Sequence, residues 1–162
     1  HAINVGGGGL AKLQGFVLGM KENGLDENNI IEVSRDLEGG IKGIERIVAA
    51  NRKVTAVICG EDLTAIGAMK AFTGLGYKIP DDVGLIGYNN SILAQTATPT
   101  LTSVDNMAAA MARQAVELLV DTLQHKQVSK KIVLTPSLVT RESTDLSTKK
   151  VVCFRTDGGI IV

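Results

Sequence analysis

The chain has 162 residues, of which 44% are hydrophobic and 21% are charged, an ordinary composition for a globular domain with a sizeable core. Its 17 Lys and Arg residues balance its 17 Asp and Glu residues, and no block of like charge occurs. This stretch therefore lacks the basic footprint that nucleic-acid binding needs. It also lacks an apolar run near the roughly 20 residues of a membrane span and a signal-peptide pattern, so we expect a cytoplasmic protein with no membrane partner.

Short apolar strands alternate with amphipathic helices along the first part of the chain. The strands are predicted at Ala2–Val5, Ile30–Val33, Val54–Cys59 and Val83–Ile86, with a helix after each of the first three. In the third of these helices, Asp62 is well placed to cap the N-terminus and Gly74 to end the helix. This alternation predicts an α/β fold with a parallel Rossmann-like sheet and helices on both of its faces.

The pattern changes after Pro99. An extended segment at Leu101–Val104 leads into one longer helix that contains Met111, Ala115, Leu118 and Leu119, and short strands are predicted at Lys131–Leu134 and Leu138–Thr140. We assign residues 1–144 to the domain and 145–162 to an atypical tail. The tail has a polar linker followed by two apolar runs separated by Asp157 and Gly158, which is a hairpin signal.

The glycine-rich segment Gly6–Ala11 fits the pattern G-x-G-x-x-A between a predicted strand and a predicted helix, with Glu32 about 20 residues further on. In a dinucleotide-binding site such glycines approach a pyrophosphate and the acidic residue accepts from a ribose hydroxyl. Four consecutive glycines satisfy many patterns, however, and a flexible turn is the favoured interpretation. A P-loop is disfavoured because Leu13, and not Ser or Thr, follows Lys12.

No catalytic constellation is evident. The two histidines, His1 and His125, lie outside any recognisable nucleophile motif, and the two cysteines, Cys59 and Cys153, lack metal-ligand spacing. We therefore predict reduced thiols, no metal, no cofactor and no enzymatic activity.

Polar residues follow two predicted strands. Glu61 and Asp62 come directly after one strand, Asn89 and Asn90 after the next, and Lys12 lies just beyond the first strand of the chain. Ligands of open α/β sheets bind outside the carboxyl ends of the strands, so these side chains converge there if the strands are neighbours. A lysine, carboxylates and an amide suit a polyhydroxylated ligand or a purine edge. The alternative is structural: helix capping by Asp62 and turn formation by the asparagines.

Five ordered blocks closely resemble the C-terminal half of LacI/GalR-type bacterial transcription regulators. They cover about ninety residues in the family's order and spacing, and the segment from Lys12 to Gly24 is similar to the family's preceding helix. The blocks are TAVICGEDLTAIGAM from Thr55, GLGYKIPDDVGLIGYNN from Gly74, PTLTSV from Pro99, RQAVELLVDTL from Arg113 and LTPSLVTREST from Leu134.

The resemblance implies a type I periplasmic-binding-protein fold, in which two Rossmann-like subdomains bind a sugar or nucleobase between them without chemistry on the ligand. Such regulators are homodimers, and their effector changes the angle between subdomains and thereby the spacing of two helix-turn-helix headpieces on operator DNA. This sequence resembles mainly the C-terminal subdomain. The segment from Met107 to Leu123 resembles a helix that packs in the other subdomain, so we expect its apolar face to lack that partner here.

Carried over by position, the resemblance assigns ligand binding to Lys12, Glu61, Asp62 and Asn89. Lys12 stands where the family usually has arginine, Glu61 and Asp62 stand in place of its Asn-Asp pair, and Asn89 replaces an aspartate. These departures predict an altered pattern of recognised hydroxyl groups. A periplasmic sugar-binding transport protein and an NAD(P)-dependent Rossmann enzyme remain the alternatives.

Overall fold

The computed structural model describes residues 2–5, 9–51, 53–127 and 131–145. The strands are β1 (Ala2–Val5), β2 (Ile30–Ile31), β3 (Ala56–Cys59), β4 (Gly84–Tyr88), β5 (Thr102–Asp105) and β6 (Ser137–Val139). The helices are α1 (Leu10–Glu22), α2 (Leu37–Ala49), α3 (Asp62–Gly74), α4 (Ile92–Thr96) and α5 (Ala108–Leu123), and a short 3-10 turn spans Glu142–Thr144. No helix among the described residues is both long and apolar enough to cross a membrane.

The strands form one sheet in the order β2-β1-β3-β4-β5-β6. The first five are parallel and β6 pairs antiparallel with β5, which confirms the predicted α/β class. The chain moves one way from β1 to β2 and the other way from β3 onward. Since crossovers between parallel strands are right-handed, α1 covers the sheet face opposite to α2 and α3. The reversal leaves a crevice at the carboxyl ends of β1 and β3.

The densest packing lies where α2 meets α3. A Cβ atom on Gly40 would overlap the carbonyl oxygen of Thr64, and one on Gly67 would overlap that of Leu37, so the two helix backbones approach closely only because both positions are glycine. Beneath this contact the core consists of apolar side chains from both helices and from the sheet: Ile44, Ile47, Val57, Phe72, Leu85 and Leu101, each 0 to 1% exposed.

The segment that follows β6 attaches the C-terminal part of the domain to the middle of the sheet. The buried Ser143 hydroxyl donates to the Leu85 carbonyl at 2.7 Å and accepts from the Thr102 amide at 2.8 Å. The Glu142 carboxylate accepts from both the amide and the hydroxyl of Thr100, which lowers the pKa of Glu142. Glu142 and Ser143 therefore have a structural role, because they attach this segment to β4 and to the start of β5.

Several predicted elements differ from the structure in their bounds or lie outside it; β3 begins at Ala56 instead of Val54, and β4 covers Gly84–Tyr88 instead of Val83–Ile86. The second strand ends at Ile31, two residues earlier than predicted. The predicted strand Lys131–Leu134 is wrong: the segment has no regular structure, and the exposed side chains of Ile132 and Val133 lack the packing that makes β-branched residues favour a strand. The predicted hairpin within 151–162 lies outside the described residues.

Candidate functional site

The polar residues that follow the strands meet in one place. β3 and β4 are hydrogen-bonded neighbours, so Glu61 and Asp62 lie beside the segment that carries Asn89 and Asn90. On the other side, β3 pairs with β1, and α1 begins at Leu10, five residues after the end of β1, which brings Lys12 to the end of β3. Lys12, Glu61 and Asp62 are therefore close to one another at the carboxyl ends of β1 and β3, and Asn89 lies at the end of the neighbouring strand β4.

Lys12 is held between a carbonyl and an aromatic ring. Its Nζ atom donates to the Gly60 carbonyl oxygen at 2.9 Å and lies 3.6 Å from the centroid of the Tyr88 ring, a cation–π contact. Burial lowers the pKa of Lys12, and the negative charge of Glu61 partly offsets that effect. An ammonium group has three donors, and Gly60 uses one of them, so Lys12 retains donor capacity toward a ligand.

Glu61 lies at the mouth of the crevice. One carboxylate oxygen is 3.7 Å from the guanidinium of Arg35, which the loop between β2 and α2 contributes. The Glu61 side chain is 30% exposed and that of Arg35 is 60% exposed. A pair this open to water contributes little stability, and both groups stay accessible to a ligand.

Asp62 has a different position from the other predicted site residues. It is the first residue of α3 and only 2% exposed, and the N-cap position is occupied by Glu61, so the predicted role of Asp62 as the N-cap is wrong. Its carboxylate accepts from the Ser91 amide and hydroxyl, both at 2.7 Å, and from the Ser103 hydroxyl at 2.6 Å. A Cβ atom on Gly87 would overlap this carboxylate, so Gly87 leaves the space that Asp62 fills. Asp62 therefore ties the starts of α3 and α4 to β5.

Asn89 and Asn90 both adopt positive φ angles, 105° and 49°, in the turn after β4. Asparagine tolerates such angles better than most residues. The Asn89 side chain is exposed and its oxygen accepts from Asn106 Nδ2 at 3.0 Å. Asn90 is half-buried: its oxygen accepts from Arg141 Nη2 at 2.6 Å and its Nδ2 donates to Asp105 at 3.2 Å. The predicted turn-forming role of the asparagines is thus combined with specific side-chain contacts.

The crevice combines an ammonium donor and a carboxylate acceptor with the face of an aromatic ring, and an amide side chain follows that ring in the sequence. Sequence reasoning predicted Lys12, Glu61, Asp62 and Asn89 as site residues and did not include Tyr88 or Arg35, which lie beside Lys12 and Glu61. Tyr88 was detectable as the residue immediately before the Asn pair at a strand end, whereas Arg35 becomes close only through the fold. Among the described residues, no group of three or more His, Cys, Asp or Glu side chains is arranged to hold a metal ion.

The dinucleotide hypothesis involved Gly6–Ala11 and Glu32. Gly6, Gly7 and Gly8 lie outside the described residues. The Glu32 side chain is exposed, and its backbone carbonyl accepts from Arg46 Nη1 at 3.1 Å, which places this residue beside α2.

A mostly parallel sheet with a polar crevice at its topological switch point defines a small-molecule-binding α/β domain. Residues 10–144 match the periplasmic binding protein-like domain, and the chain belongs to that family.

Relatives and solved structures agree on the kind of protein that contains this domain. The chain is 32% identical over 135 residues to the HTH-type transcriptional repressor PurR of Mannheimia succiniciproducens and 34% identical over 138 residues to PurR of Klebsiella pneumoniae. These alignments cover 82% and 83% of this chain but 40% of each relative. The chain thus spans less than half the length of the curated relatives it matches.

Two solved regulators have the same fold as this chain. One is the transcriptional regulator CelR in complex with cellobiose, with 27% identity and a TM-score of 0.78 over 88% of this chain and 46% of that one. The other is the Escherichia coli transcriptional repressor ascG, with 26% identity and a TM-score of 0.79 over 88% of this chain and 54% of that one. The resemblance to LacI/GalR-type regulators is confirmed, and the transport-protein and dehydrogenase alternatives are not favoured.

Proposed function

We propose that this chain is the ligand-sensing part of a bacterial transcriptional repressor, and that a sugar or nucleobase binds at the carboxyl ends of β1, β3 and β4. The observation that carries the proposal is the cluster of Lys12, Tyr88 and Glu61, in which a donor, an aromatic ring and an acceptor share one crevice. The similarity to PurR repressors and to a cellobiose-bound regulator supports a small polar effector of either kind.

Each residue has a distinct part in the proposed site. Lys12 donates to a ligand hydroxyl or carbonyl, Glu61 accepts from a ligand hydroxyl or amine, and Asn89 offers both a donor and an acceptor. Asp62 is buried behind them and holds Ser91 and Ser103, so it acts as a positioning residue in the observed conformation. Replacement of the family's usual arginine by Lys12 removes a planar bidentate fork and favours a ligand with a single acceptor at that point.

The regulatory output belongs to the longer protein. By analogy with the HTH-type relatives, we propose a homodimer in the cytoplasm that reaches operator DNA through a headpiece and performs no chemistry on its effector. The effector then acts by binding one arrangement of the protein more tightly than another, which shifts the population between them. Exposed apolar side chains on α4, namely Ile92 and Leu93, are available for contact between protomers.

Thermal unfolding of the chain against mono- and disaccharides, purines, NAD and NADP tests this proposal. A ligand at about 100 times its Kd adds about 2.7 kcal/mol of stability, so one sugar or purine is expected to raise the Tm measurably. Stabilisation by a dinucleotide alone would contradict the proposal and would revive the nucleotide hypothesis.

Glu61→Gln is the diagnostic variant, and Glu38→Gln is its matched control. Glu38 is an exposed glutamate on α2 that pairs with Lys42 at 3.3 Å, much as Glu61 pairs with Arg35, but its partner belongs to its own helix and not to the crevice. We expect the ligand-induced rise in Tm to shrink in Glu61→Gln and to persist in Glu38→Gln. An equal ligand-induced rise in Tm in both variants would show that Glu61 does not contact the ligand.

A further inference from the structure

Helix α5 leaves the sheet without the packing that normally sets the direction of a helix. None of its 16 residues is buried against the described part of the chain. Its apolar side chains are open to solvent instead; Val116, Leu119 and Leu123 are 60, 58 and 70% exposed. Within the described residues, the contacts that orient α5 are therefore those of the connection between β5 and its first turn.

That connection is held by two parallel hydrogen-bonded routes that start at the Asn89-Asn90 turn. In the first, Asn106 Nδ2 donates to Asn89 Oδ1 at 3.0 Å, and Asn106 Oδ1 accepts from the Ala108 amide at 3.1 Å. In the second, Asn90 Nδ2 donates to Asp105 Oδ2 at 3.2 Å, and Asp105 Oδ1 accepts from the Met107 amide at 2.8 Å.

The backbone at the start of α5 needs such support. Met107, the residue before the helix, has φ 59° and ψ 32°, the left-handed conformation that L residues other than glycine, asparagine and aspartate adopt rarely. A residue persists in that region only when its surroundings hold it there. The amide of Met107 is bonded to Asp105, so the second route acts directly on the strained residue.

The other end of the second route is anchored firmly. Arg141 donates to the Asn90 side chain and, through Nη1, to the Leu101 carbonyl at 2.7 Å. The Asn90 amide donates to Ser103 Oγ, and that hydroxyl donates to the buried Asp62 carboxylate. Asn90 therefore connects the wall of the crevice to the first turn of α5.

We propose that Asn90 and Asp105, together with Asn89 and Asn106, form a lock that fixes the direction in which α5 leaves the sheet. The lock also gives the crevice a means of moving the helix. A ligand that takes Asn89 Oδ1 as its acceptor competes with Asn106 and opens the first route; this step rests on the proposed function, whereas the lock itself does not. These four residues are positioning residues for α5.

Two identical substitutions at adjacent positions give opposite expectations. Asn89→Asp keeps the oxygen that accepts from Asn106, so the first route survives. Asn90→Asp removes the donor to Asp105 and places two carboxylates face to face, so the second route breaks. Both variants add one negative charge, and both introduce a residue that tolerates positive φ, so charge and backbone strain are matched.

The direction of α5 is measured by pulsed electron paramagnetic resonance, which gives the distance between two spin labels attached to the full chain. Spin labels at Lys70→Cys on α3 and Gln124→Cys at the end of α5 report the helix direction, with Cys153→Ser as background and Cys59 protected by its burial. A helix of this length spans about 24 Å, so a tilt of roughly 20° moves its far end by about 8 Å.

We expect one narrow distance peak for the parent chain and for Asn89→Asp, and a shifted or broadened distribution for Asn90→Asp. Asn90→Asp combined with Asp105→Asn restores the pair with donor and acceptor exchanged and is expected to restore the narrow peak. General destabilisation predicts no such rescue. An unchanged distribution in Asn90→Asp, or a double variant as broad as the single one, overturns the lock whether or not a ligand is ever found.

Discussion

The α2–α3 layer and helix α5 differ in how far their side chains are buried. In the layer, Gly40 and Gly67 bring two helices into backbone contact over a core whose side chains are almost fully excluded from water. In α5, by contrast, every residue stays at least partly exposed. Helices α2 and α5 are both amphipathic in sequence, but only α2 has its apolar face covered within the described residues.

This difference separates the part of the domain that supplies its stability from the helix whose direction we propose to be set by the Asn89-Asn90 turn. Burial of apolar surface supplies the main favourable term in folding, so the layer and the sheet beneath it hold the domain together. Helix α5 adds little to that sum and is attached mainly through polar contacts at its first turn. Such an element is suited to respond to a ligand, because changing its direction does not disturb the core.

The largest expected effect is a loss of stability caused by a substitution in the α2–α3 layer. Phe72→Ala removes a fully buried ring and is expected to lower the free energy of unfolding by about 3–5 kcal/mol. Leu119→Ala on α5 is expected to change it by no more than about 0.5 kcal/mol, because the side chain is already in water. Urea denaturation followed by circular dichroism measures both values, and similar losses in the two variants would show that α5 is packed.

A smaller effect is expected at the helix contact. Gly67→Ala places a Cβ against the carbonyl of Leu37 and is expected to cost about 1–3 kcal/mol, despite the better helix propensity of alanine. Gly15→Ala in α1 is the matched control, since nothing lies within 4 Å of its added Cβ. It is expected to stabilise the chain by up to about 1 kcal/mol, so an equal sign for the two substitutions in the same denaturation assay would contradict close α2–α3 packing.

The last effect is absent near neutral pH and is a pH dependence that arises from the core. Burial raises the pKa of the Cys59 thiol from 9.0 to about 12, so between these values the unfolded chain loses this proton and the folded chain keeps it. Stability therefore falls as the pH rises through that window, with a contribution of about 1.4 kcal/mol per pH unit. Cys59→Ala is expected to show a shallower decline in denaturation series from pH 9 upward, and equal slopes would mean that the thiol is accessible.

Much of the fold was predictable because alternation of apolar strands and helices is a local signal. The sheet, the bounds of α3 and the positions of Lys12, Glu61 and Asn89 beyond the carboxyl ends of β1, β3 and β4 follow from it together with strand adjacency. The partners of Asp62 were not predictable: Ser91 and Ser103 are 29 and 41 residues away, and only the fold brings them to its carboxylate. The contact between Arg35 and Glu61 was not predictable for the same reason, because Arg35 lies in a different loop.

Native-state hydrogen exchange, resolved by residue, tests most directly whether the domain consists of a stable layer and a weakly attached helix. Amides in α2 and α3 are expected to exchange only through global unfolding, whereas those in α5 are expected to exchange through local opening at a much lower free energy. Protection in α5 equal to that of α3 would contradict this division, since it would place the helix within the same cooperative unit as the core.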